Sequence, residues 1–343
     1  MVESGLVSIL PPALLPAHPS HLEFPGPVAS NAPRTESNLT FHSNQTGLPR
    51  EFGPANPRAM ILHSTGLYAP PGEPVTVVVP QAIVDSGVSV QVGVHDDTLW
   101  HKSKIWRFPS IVRSYPIAET QFEVGNAFGG PIFLASPPDA PLGSTWIEFR
   151  GAVEAPMYQH GTTSFSEWQS IRNRSAPWAE ISSDQFIMSV PSSEIRGLDD
   201  PEELMDFWVE ALEMEHELYG FMPWPRIERA AFDIQISAGW MHSGYPFMAH
   251  LVSAQEAVDL EHMESEGSWG MFHELGHNHQ WNPSRLPGTT ETTCNFASVY
   301  LMEDLVGLDL GHSALSPQQR HQRMESYFHC LLYTSDAADE SVG

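Results

Sequence analysis

The pattern that most restricts this chain lies in GMFHELGHNHQW, residues 270–281, where His273, Glu274, Leu275, Gly276 and His277 spell H-E-x-x-H. A helix advances about 100° per residue, so two histidines four apart return to one face one turn higher. Two imidazoles on that face can share a cation. Glu274, beside the first histidine, can reach a water on that cation without being a ligand. The fold must therefore supply a helix here and a second element opposite it. Ser268 is placed as the N-cap, Met271, Phe272 and Leu275 as the buried side, and Pro283 as the stop. Gly276 inside a helix costs about 1 kcal/mol relative to Ala, which a close backbone approach beside the metal face would explain. His279 points about 200° away from His277 and is read as structural.

A catalytic zinc takes three protein ligands and leaves one position to water. RLPGTTETTCNFASVYLMEDLVG, beginning at Arg285, offers Gly288, a Thr-rich helix start and Glu291 in the first turn. Glu291, Asn295, Ser298 and Met302 share one stripe. Glu303 and Asp304 compete for the third position from later in the helix. Asn295, one turn after Glu291, is placed to hydrogen-bond a ligand as an outer partner.

These two stretches, FHELGHNHQ and GTTETTCN, resemble the enhancin-like, mucin-targeting zinc metallopeptidases (the peptidase M60-like domain), whose pattern is H-E-x-x-H, a spacer, then G-x-x-E. STGLYAPPGEPVTVVVP and FDIQISAGWMHSGYPFM extend the resemblance from about residue 58 to about residue 325. The domain also occurs in TRP channel-associated factors. The resemblance implies a zinc metalloendopeptidase of gluzincin type, with one Zn2+ on His273, His277 and Glu291, and Glu274 as general base. It implies a protein or glycoprotein substrate and opens a membrane channel as a partner. The rival reading is a metallopeptidase-like fold kept as a binding module.

A formal charge of −26 argues against nucleic acid and anionic membrane surfaces, which call for clustered Lys and Arg. The two lysines, Lys102 and Lys104, fall in LWHKSKIWRFPSIVR with Trp100, Trp106, Arg107 and Arg113. That stretch is read as a strand pair with buried tryptophans, the alternative being a basic loop for acidic sugar. Cys294 and Cys330 permit one disulfide and exclude a disulfide scaffold. No apolar run reaches transmembrane length. The first twenty residues lack a basic n-region and are broken by Pro11 and Pro12, so no signal peptide is expected. A cytoplasmic or peripheral plasma-membrane location follows, or an extracellular one if Met1 is not the native start.

Residues 1–57 hold ten of the 30 prolines and read as a linker or the remnant of an upstream domain. From residue 58 to 160, PVTVVVP, the alternation in VSVQVGVH, an expected hairpin in FEVGNAFGGPIFLAS, and STWIEFRGAVEA predict a β-sandwich. Residues 161–329 are expected to form the catalytic part, and 330–343 a non-native tail. Asp200 and Pro201 start a helix that Gly220 stops. AAFDIQIS is a strand, and the loop after it walls the active site, with His242 and Tyr245 as candidates to polarise the scissile carbonyl and Trp240 among the aromatics facing substrate. The fold class expected is α+β, an N-terminal β-sandwich-like region followed by a mainly helical gluzincin-type domain.

Overall fold

The computed structural model describes residues 7–220, 224–308 and 316–339, the last ten by backbone alone. The expected tail 330–343 and Cys330 fall outside the residues whose side chains are described.

The first half is built of strands β1 (Thr35–Ser43), β2 (Ile61–Ala69), β3 (Val75–Val78), β4 (Ser89–Val92), β5 (Arg113–Pro116), β6 (Gln121–Val124), β7 (Gly130–Ser136) and β8 (Gly143–Glu154). They form one eight-stranded sheet in the order β5-β4-β7-β2-β8-β3-β6, with β1 on β8. The twelve residues of β8 make the corner. Thr145–Phe149 and their neighbours pair with β1 and β3, whereas Val153 and Glu154 pair with β2. The sheet thus curls around Val75, Val77, Val90, Val92, Ile132, Leu134, Ile147 and Phe149, all but fully buried, with β5 and β6 as its ends.

The glycines at the start of β7 do not turn a hairpin, because β6 pairs with β3 while β7 pairs with β2 and β4. Gly129 (φ +71°) and Gly130 (φ +152°) carry the chain from one half of the sheet to the other, and a Cβ on Gly130 would meet the Gly93 backbone at 2.7 Å. Only glycine allows that approach. Residues 1–57, read as a linker, contribute β1 to the sheet. They also pack Leu15 and Phe24 into a core with Tyr68 and Trp178.

The second half contains β9 (Met157–Gln159), α1 (Phe165–Ile171), β10 (Trp178–Ser182), β11 (Phe186–Pro191), α2 (Ser192–Ile195), α3 (Pro201–Tyr219), β12 (Glu228–Asp233), β13 (Met241–His242), β14 (Phe247–His250), α4 (Ser253–Ala257), α5 (Leu260–Ser265), α6 (Trp269–Asn278), α7 (Thr290–Tyr300) and α8 (Pro317–Asp339). The mainly helical expectation is overturned here. A six-stranded mixed sheet, β13-β14-β12-β11-β10-β9, forms its centre, so both halves of the chain are organised on a β-sheet. The strands β10, β11 and β12 are buried on both faces, so they lack the alternation by which a half-buried strand is recognised. They also carry charges that pair inside: Glu180 with Arg229, Glu228 with Arg226, and Asp233 with Arg107.

Helix α3 starts as the sequence indicates, with the Asp200 side chain accepting from the Glu202 N–H, Pro201 in the first turn, and Gly220 left-handed at the end. Its buried face, Leu204, Met205, Trp208, Ala211 and Leu212, packs with Phe186, Phe247, Phe272 and Leu275 in the core beneath the H-E-x-x-H helix. A smaller core of Leu62, Val94 and Phe133 with Ala231, Tyr245 and Met248 joins the two halves. Among the described residues no helix is long and apolar enough to cross a membrane.

The stretch holding Lys102 and Lys104 is not a strand pair. It forms turns and bends that leave Trp100 and Trp106 more than half exposed. Arg107 leaves it for the interior, bonding Asp233 at 2.7–2.9 Å with both side chains fully buried. Burying that pair directs the segment across β12 and turns the tryptophans outward.

Candidate metal centre

Helix α6 runs from its N-cap Ser268 to Asn278. Met271, Phe272 and Leu275 point into the core, and His273 and His277 come to one face as their spacing requires. Helix α7 crosses that face with Glu291 in its first turn. The crossing is close because position 276 has no side chain: a Cβ on Gly276 would meet the Cys294 carbonyl oxygen at 2.7 Å and the Ala297 Cβ at 3.0 Å.

The expected ligands are brought together. Glu291 Oε2 lies 3.1 Å from His273 Nε2 and 3.4 Å from His277 Nε2. His273, His277, Glu291 and Cys294 each offer one ligand atom, and all four atoms lie within 4.8 Å of one another. Two imidazole nitrogens and a carboxylate oxygen are a donor set that suits zinc. The Glu291 side chain is 72% exposed, so the centre opens to solvent on that side. Glu303 and Asp304, the competitors, sit in the π-helical turn Leu301–Leu305 and are absent from that group of four.

The outer partners fix which nitrogen each histidine offers. His273 Nδ1 donates to Asn295 Oδ1 at 2.6 Å, as the position of Asn295 one turn after Glu291 suggests. His277 Nδ1 donates to Gln280 Oε1 at 3.1 Å. The Gln280 amide is itself oriented, since its nitrogen donates to the Thr290 carbonyl and to Thr293 Oγ1, both at 2.6 Å. Both histidines therefore keep the Nε2 lone pair for a metal. Gln280 went unread in the sequence. The signal for it is its place three residues, about one turn, after His277, much as Asn295 follows Glu291 by four.

Glu274 is buried beside the pair. Burial raises its carboxyl above the ordinary carboxylate range, against the pull of His277, His273 and His242. A carboxyl so placed holds or releases a proton nearer neutrality than a free one does. Cys294 is fully buried, and burial with Glu291 and Glu274 nearby pushes its thiol up to about 12.

The residues expected in the wall behave differently from one another. His242 lies on β13 against the start of α6, where a Cβ on Gly270 would touch the Met241 sulfur at 2.9 Å. Both of its ring nitrogens are engaged: Nε2 with Asp97 Oδ2 at 2.8 Å and Ser237 Oγ at 3.2 Å, and Nδ1 with the Ser243 carbonyl at 3.0 Å. Burial opposes its charge, yet the bonds to Asp97 and Ser243 win and raise its pKa. Asp97, from the N-terminal half, is a partner that sequence distance hides.

Tyr245 does not face the metal ligands. It is buried in the core between the two halves, its hydroxyl accepting from the Leu62 N–H at 3.3 Å and its ring under the Arg226 guanidinium at 4.2 Å. Trp240 is 58% exposed and stacks on His250 with 4.6 Å between ring centres. Asn278 ties this wall to α6, donating to the Gly244 carbonyl and accepting from the Gly244 N–H, both at 3.0 Å. His279 is structural as read, fully buried and 2.9 Å from Glu215.

Known proteins resemble the chain at both levels. Residues 151–330 match the family described as Peptidase M60, enhancin and enhancin-like, and residues 33–150 match the N-terminal domain of M60-like peptidases. TRPM8 channel-associated factor 2 of Bos taurus is 40% identical over 282 residues, 81% of this chain and 31% of that protein. The TRPM8 channel-associated factor homolog of Danio rerio is 38% identical over 270 residues, 77% of this chain and 30% of that protein. The chain thus spans about a third of the length of these relatives. Among solved structures, the M60 catalytic domain of Clostridium perfringens ZmpC, in complex with the sialyl T antigen, superposes with a TM-score of 0.60 at 14% identity, over 78% of this chain and 56% of that one. IMPa of Pseudomonas aeruginosa in complex with an O-glycopeptide gives 0.55 at 18% identity, over 86% and 35%. At that identity the structures attest the fold, and the family models and the relatives place the sequence: the chain belongs to the Peptidase M60, enhancin and enhancin-like family.

Proposed function

We propose that the chain is the catalytic module of a zinc-dependent metallopeptidase acting on protein or glycoprotein substrates. The observation that carries this reading is the convergence of His273 Nε2, His277 Nε2 and Glu291 Oε2 beside the buried carboxyl of Glu274. Those three residues would hold one zinc, with Asn295 and Gln280 keeping each histidine in the tautomer that leaves Nε2 free. When bound, zinc supplies Lewis acidity toward water and a carbonyl oxygen.

The chain's own chemistry is proton transfer. Glu274 accepts the proton of the attacking water on its carboxylate and passes it to the leaving amine as the C–N bond breaks. A scaffold has no chemical use for that carboxyl at that position. The His242–Asp97 pair adds fixed charge close enough to Glu274 to interact with it. The exposed ring of Trp240 beside this wall offers a face on which a sugar can stack.

The second reading, a metallopeptidase-like module that binds a membrane channel, is favoured by the TRPM8 channel-associated factors among the relatives. The two separate in one assay. Glu274→Gln should retain metal and fold but lose cleavage of an O-glycosylated peptide by at least about 100-fold, the usual scale of general-base catalysis. Equal turnover by both proteins removes Glu274 from the chemistry. No turnover by either, with metal bound, favours the binding module.

A further inference from the structure

Helix α6 offers a pair of nitrogens four residues apart, and α7 answers with a pair three residues apart, Glu291 Oε2 and Cys294 Sγ. Spacings of three and four both return to one helix face, so the two pairs oppose each other across the close crossing at Gly276. A tetrahedral zinc with Zn–N and Zn–O near 2.0–2.1 Å and Zn–S near 2.3 Å needs N···O edges of about 3.4 Å and N···S edges of about 3.5 Å. The N···O edges measure 3.1 and 3.4 Å. The sulfur lies 3.5 Å from His273 Nε2 and 3.4 Å from His277 Nε2.

We propose that Cys294 is a fourth, displaceable protein ligand of this centre, bound as a thiolate and closing the position that a hydrolytic zinc leaves to water. The inference rests on the zinc reading above and adds regulation to it. Without metal the sulfur keeps its proton, which it donates to the Glu291 carbonyl at 3.1 Å. It also stands 3.5 Å from His273 Nδ1, as far as from Nε2. Ligation would exchange the S–H···O bond for a bond from the thiolate to the metal and release one proton to solvent. Four protein donors make a closed site and three make an open one, so hydrolysis runs only while the thiolate is off. The H-E-x-x-H base is then compatible with a centre at rest.

The test is the electronic spectrum of the full chain stripped of metal and reloaded with Co(II), with cobalt content measured alongside. The proposal expects one cobalt per chain with a near-ultraviolet thiolate-to-cobalt charge-transfer band. The band should persist in Cys330→Ser and disappear in Cys294→Ser, which should still bind cobalt and cut the glycopeptide faster than wild type. One cobalt per chain without that band in the wild type overturns the Cys294 ligand and leaves the three-ligand centre standing. Loss of the band in Cys330→Ser also overturns it. Failure of the wild type to bind cobalt overturns both. The wild-type spectrum decides even if Cys294→Ser fails to fold.

Discussion

Gly276 of the H-E-x-x-H helix lies under the Cys294 carbonyl of the next helix, so close that any Cβ there would stand 2.7 Å from that oxygen. This contact sets the distance between the two ligand pairs. Gly276→Ala should gain about 1 kcal/mol of helix propensity and lose about 1–3 kcal/mol to overpacking. The expected outcome is a lower thermal midpoint together with weaker zinc binding, read by calorimetry and by competition with a chelator. A variant more stable than wild type with unchanged zinc affinity would mean that the helices tolerate the methyl and that their spacing is set elsewhere.

With the proposed zinc bound, Asn295 and Gln280 would act on it through the histidines they hold. Replacing an outer partner of this kind costs about 10–100-fold in affinity. Asn295→Ala should weaken zinc by that order while leaving the circular dichroism of the folded chain unchanged, as should Gln280→Ala. Chelator competition at fixed pH measures it. An affinity equal to wild type in both variants would show that the tautomers need no support.

The His242–Asp97 pair gives stability a pH signature. His242 has its pKa raised above the ordinary 6.5 by Asp97 and Ser243 in spite of burial, so its contribution is complete below 6.5 and is lost as pH rises through the elevated value. Asp97 has its pKa lowered from 3.8, with the His242 and Ser237 bonds outweighing burial, so its contribution is present above 3.8 and is lost as pH falls through the depressed value. The gap in thermal midpoint between wild type and Asp97→Asn should be widest between about pH 4 and 6.5 and should narrow towards pH 8. A gap that grows from pH 6 to pH 8 would contradict a charged His242.

What could be read along the chain was whatever local spacing dictates. His273 and His277 meet because they are four apart, Asn295 reaches His273 because it follows Glu291 by one turn, and Asp200, Pro201 and Gly220 bound their helix by chemistry confined to a few residues. Asp97 bonds His242 across 145 positions, and Arg107 bonds Asp233 across 126. No local pattern announces either partner. The central sheet escaped for another reason: its strands are covered on both faces and hold paired charges such as Glu228 and Asp233, so neither alternation nor a clean apolar run survives. Tyr245 follows His242 in the expected wall, but the Arg226 guanidinium over its ring and the Leu62 N–H hold it in the core.

The proposed function requires one metal on His273 and His277 of one helix and Glu291 of the next, whose ligand atoms lie within 4.8 Å of one another. Elemental analysis of the purified chain after zinc loading and exhaustive dialysis, compared with a His273→Ala, His277→Ala double variant, tests it most directly. One zinc per wild-type chain and none in the double variant is the predicted result. A wild type that retains no zinc, or a double variant that retains one per chain, would contradict it.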